Sequence, residues 1–297
     1  MPLRHDMRRG AACMLAATSL FAVMNVFVKL ASEELHFLQV MFFRSALAVP
    51  VVLLIVLRTR DGATLRTKRP WQHVLRAATG TTAMACSFFA LSVLPLAEQT
   101  ALTYTTPLFV TLLAIPFLGE KVGVHRFGAV AAGFLGIVVI ALGKGAFGGE
   151  VTRAAAMGMG AAVAHGVFSA ATTLLVRSLS STERSGTIVL WQSLLMTGFT
   201  GLAMPFVWVN PSMEGWLLLL ATGVIGGVAQ VLLTEAYASA QVSALGAFSY
   251  SGILWSILLG LLVFGDRPTL WTLLGATLIV AAGLYIMHRE MVRKARR

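Results

Sequence analysis

Ionisable residues are rare inside the long apolar stretches of this sequence, and three of them are the first candidates for chemistry. They are Arg44 in F-F-R-S-A-L, Glu98 in L-P-L-A-E-Q-T-A-L and His165 in A-V-A-H-G-V-F. An ionisable side chain at the centre of a bilayer costs roughly 2.5–3.5 kcal/mol on insertion scales, so it normally faces a cavity or a partner. Each of the three is therefore a candidate for binding a solute or carrying a proton.

Glu98 and His165 are the two candidates for proton coupling, because histidine titrates near neutral pH and a carboxylate also exchanges a proton. For Glu98 the alternatives are a carboxylate favoured by the helix dipole just after Pro95, a structural salt bridge, or a contact with a proton or a substrate amine. For His165 the alternative is a hydrogen-bonded packing role. The sequence leaves these alternatives open.

Arg44 has two possible partners. One is Glu98, because both residues need neutralising inside a membrane. The other is a substrate carboxylate, which the planar guanidinium group binds through two parallel hydrogen bonds. Both alternatives predict that the guanidinium group faces the interior of the protein.

Uncharged polar and aromatic residues within the apolar stretches are further candidates for lining a solute cavity. They are Asn25, Thr103, Tyr104, Trp191, Gln192, Gln230, Ser249 and Tyr250. Of these, Trp191 and Gln192, with Gln230 and the charged residue Glu235 toward the cytoplasmic side, are expected to form an inner vestibule, and the alternative for Glu235 is an anchor at the end of its helix. The alternatives are that hydroxyls bond their own helix and that aromatic rings only pack.

Pro107 interrupts the fourth apolar stretch, where it removes a backbone hydrogen bond and frees a carbonyl near Thr103. The hydroxyls of Thr105 and Thr106 are placed to satisfy the freed backbone groups. A kink is the simpler interpretation, and a gating hinge is the more ambitious one. Pro107 is therefore the hinge candidate.

The elements that carry these residues are membrane-spanning helices. The 297 residues are 57% hydrophobic, with a mean hydropathy of +0.82 and 12% charged residues, against about 25% charged residues in soluble domains. A helical span needs roughly 20 apolar residues, and helices pair their backbone groups internally. Ten spans are predicted near residues 10–30, 37–57, 73–93, 96–118, 125–142, 154–176, 186–208, 215–236, 241–264 and 268–287.

Basic residues are distributed unevenly between the two sides of this predicted bundle. With the N-terminus in the cytoplasm, most of the 23 lysines and arginines fall in cytoplasmic tails and loops. The opposite side holds Lys29, Lys144, Arg153 and Arg267. This asymmetry follows the positive-inside rule and predicts that both termini are cytoplasmic. The net charge of +11 is therefore a topology signal, and it does not indicate nucleic-acid binding.

Motifs for other chemistry are missing from the sequence. Cys13 and Cys86 both lie inside predicted spans, which gives neither a disulfide framework nor a zinc pattern. There is no Walker A loop, H-E-x-x-H, G-x-S-x-G or dinucleotide fingerprint. We therefore expect no catalytic residue, no metal and no cofactor.

The two halves of the chain resemble each other. A shift of 146 residues lays A-L-T-Y-T-T-P-L (101–108) on A-F-S-Y-S-G-I-L (247–254), and a shift of 148 lays F-F-R-S (42–45) on L-W-Q-S (190–193). The predicted repeats are residues 1–143 and 144–297, each with five helices. Because five is odd, the repeats have inverted topology, which is typical of secondary transporters that bind substrate between the repeats. The alternative is a duplicated bundle with only a structural role.

The passage from L-P-L-A-E-Q-T-A-L-T-Y-T-T-P-L-F to F-L-G-E-K, with its second-half echo L-V-F-G-D-R-P-T-L-W, resembles the EamA domain of the drug/metabolite transporter superfamily. The resemblance covers nearly the whole chain. It implies a ten-helix inner-membrane carrier with a central cavity lined by the first four helices of each half. The second half departs from the pattern, since Ala244 stands at the place of Glu98 and Ile253 at that of Pro107.

The function expected from these observations is secondary transport of a small polar or amphipathic metabolite by alternating access in a bacterial inner membrane. Export of an amino acid or an amino-acid-derived metabolite, including metallophore-like compounds, is favoured. The alternative is import of a vitamin or nucleoside-like compound such as riboflavin or S-adenosylmethionine. A membrane-embedded lipid enzyme and a structural subunit are less favoured. The expected partners are the substrate, the lipid bilayer, protons and a second copy of the chain.

Overall fold

The computed structural model describes residues 7–58, 66–118, 124–143, 152–179, 182–183, 185–239, 245 and 248–295. Within these ranges the regular secondary structure is entirely helical, which confirms the predicted fold class. Parts of the basic loops, the G-E-K of the first half and Lys144 at the predicted repeat boundary lie outside the described residues.

The helices follow the predicted spans, with two exceptions: the fourth span is divided, and the ninth, predicted for residues 241–264, is described as a continuous helix only over Ser251–Phe264, since residues 241–244 and 246–247 lie outside the described ranges. The first half contains α1 (Met7–Glu34), α2 (Phe37–Arg58), α3 (Pro70–Val93), α4 (Leu96–Thr103), α5 (Thr106–Leu118) and α6 (Val124–Gly143). The second half contains α7 (Arg153–Leu179), α8 (Ser185–Val207), α9 (Met213–Ser239), α10 (Ser251–Phe264) and α11 (Leu270–Ala295).

Membrane-spanning capacity agrees with a ten-helix protein. Within the described residues, eight segments are long and apolar enough to cross a membrane, judged by length and composition, and α4 with α5 counts as one of them. Two shorter apolar helices, Phe127–Gly143 and Ser251–Phe264, complete a set of ten. Eight segments of spanning length and two shorter apolar helices in one chain describe a multi-pass membrane protein.

The single helix predicted for residues 96–118 is divided in two at Tyr104 and Thr105. Pro107 is the second residue of α5 and cannot donate to the carbonyl of Thr103, so a continuous helix would lose that bond and bring the proline ring against the carbonyl. Instead the Thr106 hydroxyl donates to the Thr103 carbonyl at 3.0 Å, and the Thr105 hydroxyl donates to that of Leu102 at 2.7 Å. The prediction that threonine side chains satisfy the freed backbone is confirmed.

Helix directions follow from contacts at the helix ends. Arg9 pairs with Glu235 at 2.7 Å, and the backbone N–H of Ser212 donates to Glu34 at 2.6 Å, so α1 and α9 are antiparallel. We call the end of the bundle where α1 begins the proximal face, and the end where α1 finishes the distal face. The Lys29 ammonium donates to the carbonyl of Leu94 at 2.9 Å, which places the ends of α1 and α3 together at the distal face.

The second half is inverted relative to the first. The hydroxyls of Thr172 and Thr79 are 2.9 Å apart, and His165 contacts the Ala83 carbonyl at 2.9 Å, so α7 runs antiparallel to α3. Hence α1 begins at the proximal face and α7 at the distal face. The pairing is also reciprocal: α1 packs on α9, α3 on α7, α2 on α8, α4 on α10 and α6 on α11.

Small residues allow close approach between helices of the two halves. Gly223 and Gly227, which form a G-x-x-x-G pattern in α9, face the side chains of Leu47 and Val51 in α2. This motif therefore packs within the chain, which is one of the common uses of small residues in membrane helices.

Candidate functional site

A cavity of about 220 Å³ lies between the two halves of the bundle. It is formed by the second and third helices of each half, α2, α3, α8 and α9. Its lining residues are Arg44, Ser45, Ala48, Val52, Arg76, Gly80, Met84, Val189, Gln192, Ser193, Met196 and Gln230. The predicted candidates Arg44, Gln192 and Gln230 thus meet at one place.

Arg76 is held at the cavity wall by residues of α8. Its Nη1 donates to the side-chain oxygen of Gln192 at 2.7 Å and to the carbonyl of Ile188 at 3.2 Å. Its Nε is buried and has no hydrogen-bond partner among the described residues. These bonds tie α3 to α8 and fix the direction of a buried cation.

Arg44 approaches the cavity from α2. Its Nε is also buried and has no acceptor among the described residues. Gly226 of α9 lies beside this side chain, and a Cβ added there would be in ordinary van der Waals contact with Arg44 Nε at 3.5 Å but only 2.7 Å from Met24 Sδ. A Cβ added at Gly80 would lie 2.8 Å from the Gln192 amide nitrogen, so Gly80 does make room for Gln192.

The predicted ion pair between Arg44 and Glu98 does not form in this structure. Glu98 lies in α4, is 3% exposed, and accepts a hydrogen bond from the Thr272 hydroxyl of α11 at 3.3 Å. Its place is the contact between α4 and α11, and it is not among the residues that line the cavity. The two side chains therefore contact different neighbours.

Repeat-related residues face each other across the cavity. The shift of 148 residues pairs Arg44 with Gln192 and Ser45 with Ser193, and all four line it. The shift of 146 places Gln230 at the position of Met84, which also lines it. The lining is therefore symmetric in position but not in charge.

Both cations of the cavity come from the first half. Arg76 corresponds to Thr222 at the shift of 146, and Arg44 corresponds to Gln192 at the shift of 148. No aspartate or glutamate is among the lining residues that the structure describes. The result is a cavity with two guanidinium groups and amide and hydroxyl groups that can donate or accept hydrogen bonds.

Tyr104 and Tyr250 meet directly, away from the cavity wall. Their ring centroids are 5.1 Å apart with an interplanar angle of 39°, and the Tyr104 hydroxyl donates to the Ser249 carbonyl at 2.7 Å. The Thr103 hydroxyl bonds the Thr100 carbonyl of its own helix at 2.9 Å. In this conformation the repeat-related tyrosines join the broken fourth span to the start of α10.

The two tyrosine hydroxyls predict different mutational effects. Tyr104→Phe removes the bond to Ser249 and is expected to lower the free energy of unfolding by about 1 kcal/mol. Tyr250→Phe is expected to be neutral or stabilising, because the Tyr250 hydroxyl is buried with no partner among the described residues. Denaturant titration of the purified protein in detergent measures both. Equal losses for the two variants would contradict this assignment.

His165, Trp191 and Asn25 lie around the cavity helices without being among its lining residues. The His165 Nδ1 atom bonds the Ala83 carbonyl at 2.9 Å and joins α7 to α3. The Trp191 ring stacks on His73, with centroids 5.4 Å apart and an angle of 24°. Asn25 is half-buried on α1. Their proposed parts in substrate or proton binding stay predictions.

Arg76 is the functional candidate that the sequence argument passed over. It lies in W-Q-H-V-L-R, inside the third span, and the same criterion that selected Arg44 applies to it. Nothing in the sequence places it next to Gln192, which is 116 residues away. For metals, the described residues contain no group of three His, Cys, Asp or Glu side chains that could hold an ion.

Comparisons with known proteins agree with this architecture. The model of the EamA-like transporter family matches twice, over residues 8–142 and 156–288. A riboflavin transporter of Rhizobium johnstonii is 32% identical over 96% of this chain and 93% of its own. A pseudopaline exporter of Pseudomonas aeruginosa is 29% identical over 93% of this chain and 95% of its own.

One solved crystal structure has the same fold, with a TM-score of 0.65 and 19% identity over 97% of this chain and 99% of its own. The names of the family and of these relatives describe transporters of small molecules and not enzymes. The double family match covers most of the sequence. The chain belongs to the EamA-like transporter family, within the drug/metabolite transporter superfamily.

Proposed function

We propose that this protein is a secondary transporter of the bacterial inner membrane that exports an amino acid or an amino-acid-derived metabolite by alternating access. The observation that carries the proposal is the cavity between the two halves, whose wall presents two guanidinium groups and two side-chain amides. Binding between inverted repeats is the arrangement through which rocking of one half against the other exposes a site to each side in turn.

The orientation that we propose puts the proximal face in the cytoplasm. The basic residues of the sequence support it through the positive-inside rule. Arg76, Val189 and Gln192 lie near the proximal starts of α3 and α8, and Gln230 lies in the proximal half of α9. The cavity, which also includes Arg44 and Ser45 of the distal half of α2, therefore extends into the proximal half of the bundle, and in the proposed orientation this part collects a substrate for export from the cytoplasm.

Two features support an amino-acid-derived substrate. Guanidinium groups bind carboxylates through paired hydrogen bonds, and a volume of about 220 Å³ is below the roughly 300–1,000 Å³ of sites for drug-sized ligands.

Import of a vitamin or nucleoside-like compound is the second candidate. It is favoured by the 32% identity to a riboflavin transporter. The predicted homodimer stays a prediction.

Flux measurements test the proposal. Proteoliposomes that contain the purified protein are loaded with amino acids, metallophore-like compounds, riboflavin or S-adenosylmethionine, and counterflow is followed with labelled compounds. We expect saturable exchange of at least one amino-acid-derived compound. Folded protein that gives no saturable flux with any compound contradicts the transporter assignment, and saturable flux of riboflavin alone favours the second candidate.

Proton coupling is tested in the same vesicles. Glu98→Gln keeps the acceptor for Thr272 but removes the titratable carboxyl group, and His165→Asn keeps a polar side chain without an ionisable ring. If either residue carries the coupled proton, its variant is expected to lose stimulation of flux by a pH gradient while retaining counterflow, which needs no net proton movement. Full gradient stimulation in both variants would show that neither residue couples transport to protons.

A further inference from the structure

We propose that the cavity selects small organic anions with two carboxylate groups, one bound at Arg44 and one at Arg76. The consequence for transport rests on the proposed function, whereas the binding site itself does not. Neither the family nor the names of the relatives assigns a charge to the substrate. The inference deepens the proposal above by naming the chemical class that this chain recognises.

The first step is the balance of charge. Arginine keeps its proton in proteins, so both guanidinium groups remain cationic. The described residues that line the cavity supply no carboxylate, and the nearest polar groups on Arg76 are the Gln192 amide oxygen and a backbone carbonyl. A buried charge without a counter-charge is costly. An anionic ligand supplies the two missing charges.

The second step is the direction of the donors. Nη1 of Arg76 is occupied by Gln192 and Ile188, but Nε is buried without a partner among the described residues. Nε of Arg44 is in the same situation. A carboxylate bound at either guanidinium group supplies the anionic acceptor that the group lacks, in the charge-assisted geometry that arginine prefers.

The third step is size. A volume of about 220 Å³ corresponds to about seven water molecules at roughly 30 Å³ each. A chloride or phosphate ion would leave most of this space unfilled. A metabolite with two carboxylates joined by a short carbon chain fits this volume, whose wall carries both cations together with Gln230 and Ser193.

The fourth step is the inequality of the halves. Gln192 occupies the repeat-related place of Arg44, and the repeat-related glycines Gly80 and Gly226 lie beside Gln192 and Arg44 respectively. The position of a long polar side chain is therefore duplicated, whereas the charge is not. The first half supplies the cations, and the second half supplies an amide that orients one of them.

The test is a binding experiment on the full-length protein purified in detergent, which requires no transport. The probes are succinate, L-glutamate and citrate, each compared with its carboxamide analogue, with inorganic phosphate as the small anion. We expect the carboxylates to raise the unfolding temperature in a concentration-dependent way and the carboxamides to leave it unchanged, because only a ligand that binds the folded state stabilises it.

Arg44→Gln and Arg76→Gln are each expected to reduce carboxylate affinity at least about tenfold, in line with the loss of one charge-assisted hydrogen-bonded contact. Arg153→Gln makes the same chemical change at an exposed position at the start of α7, and it is expected to bind like the wild type. Retained affinity in both cavity variants overturns the proposal.

Gln192→Glu provides the sharpest variant, because it adds an internal carboxylate 2.7 Å from Arg76 without removing any cation. It is expected to fold at least as stably as the wild type and to lose the carboxylate-dependent shift in unfolding temperature.

The proposal is overturned if this variant keeps the shift, if no carboxylate raises the unfolding temperature more than its carboxamide analogue does, or if phosphate raises it as much as the dicarboxylates do. Carboxylate binding without flux contradicts only the transport proposal, and saturable flux of neutral solutes unaffected by Arg44→Gln contradicts only the anion site.

Discussion

Replacing Gly275 with alanine is expected to lower the free energy of unfolding by about 1–3 kcal/mol, the usual cost of overpacking a tight contact. Gly275 of α11 lies against α6, and a Cβ added to it would be 2.5 Å from the carbonyl oxygen of Gly136. The obstacle is backbone, which cannot rotate away as a side chain does. The two helices must therefore separate or shift along each other.

The reciprocal change gives the same result for the same reason. A Cβ added at Gly136 would be 2.7 Å from the carbonyl oxygen of Gly275, so Gly136→Ala is expected to destabilise by a similar amount. Because both variants separate the same pair of helices, the double variant is expected to lose less than the sum of the single losses. Unfolding in graded mixtures of SDS and mild detergent measures all three.

Gly128→Ala is the matched control on the same helix. No atom lies within 4 Å of a Cβ added at Gly128, and alanine is about 1 kcal/mol more favourable than glycine in a helix interior. This variant is expected to be neutral or slightly stabilising. If Gly275→Ala is as stable as Gly128→Ala, then α6 and α11 do not pack as closely as described.

The glycines of α6 also show what a sequence does and does not reveal about packing. Their spacing indicates that part of the helix surface carries no side chains. Gly133 indeed faces Leu108, and Gly136 faces Gly275, but Gly128 has no neighbour within 4 Å. Composition identifies residues that permit close approach. Which residue packs against each glycine depends on the three-dimensional arrangement of the other helices.

The spans themselves were predictable, because hydropathy and length determine which segments fit a bilayer. The division of the fourth span was harder to foresee. Pro107 indicates a lost hydrogen bond, yet a kinked helix and a broken one both accommodate this loss. The break follows from Thr105 and Thr106, whose hydroxyls take over the carbonyls of Leu102 and Thr103.

For the candidate site, the position of each residue along its helix was predictable, but the side of the helix that faces the other half was not. Arg44, Gln192 and Gln230 were selected as polar residues inside spans, and they line one cavity. Glu98 was selected by the same criterion but lies between α4 and α11. The sequence gives the height of a residue along its helix, whereas the side of the helix that faces the partner half depends on packing.

Lys29→Ala is expected to shift the conformational equilibrium about tenfold toward a state open at the distal face. The Lys29 ammonium donates to the Leu94 carbonyl at 2.9 Å, contacts the Asp266 carboxylate at 3.5 Å and lies 4.8 Å from the centre of the Phe264 ring. These contacts connect α1 to the end of α3 and to the connection between α10 and α11, and so join the two halves.

The size of the shift follows from the energy of these contacts. Hydrogen bonds to charged groups contribute about 1.5–3 kcal/mol, and partial exposure of this pair favours the lower value, which corresponds to about tenfold in the equilibrium. If the carrier opens alternately at its two faces, this connection must break whenever the distal face opens. Removing it stabilises the distal-open state relative to the one described here.

Accessibility to a membrane-impermeant maleimide measures the shift. The reporter is a cysteine at Leu96, which is fully buried at the distal start of α4, in a background without Cys13 and Cys86. Lys29→Ala is expected to speed labelling about tenfold, since a charge-assisted contact of this kind contributes about 1.4 kcal/mol or more.

Two further variants separate the contributions to this contact. Asp266→Asn is expected to have the smaller effect, because the shorter bond from Lys29 to the Leu94 carbonyl remains. Lys68→Ala, at an exposed residue before α3, is the matched control and is expected to label like the wild type. Equal labelling of Lys29→Ala and Lys68→Ala in folded protein would show that Lys29 does not hold the distal face closed. Faster labelling with Lys29→Ala alone identifies a contact that opposes opening of the distal face.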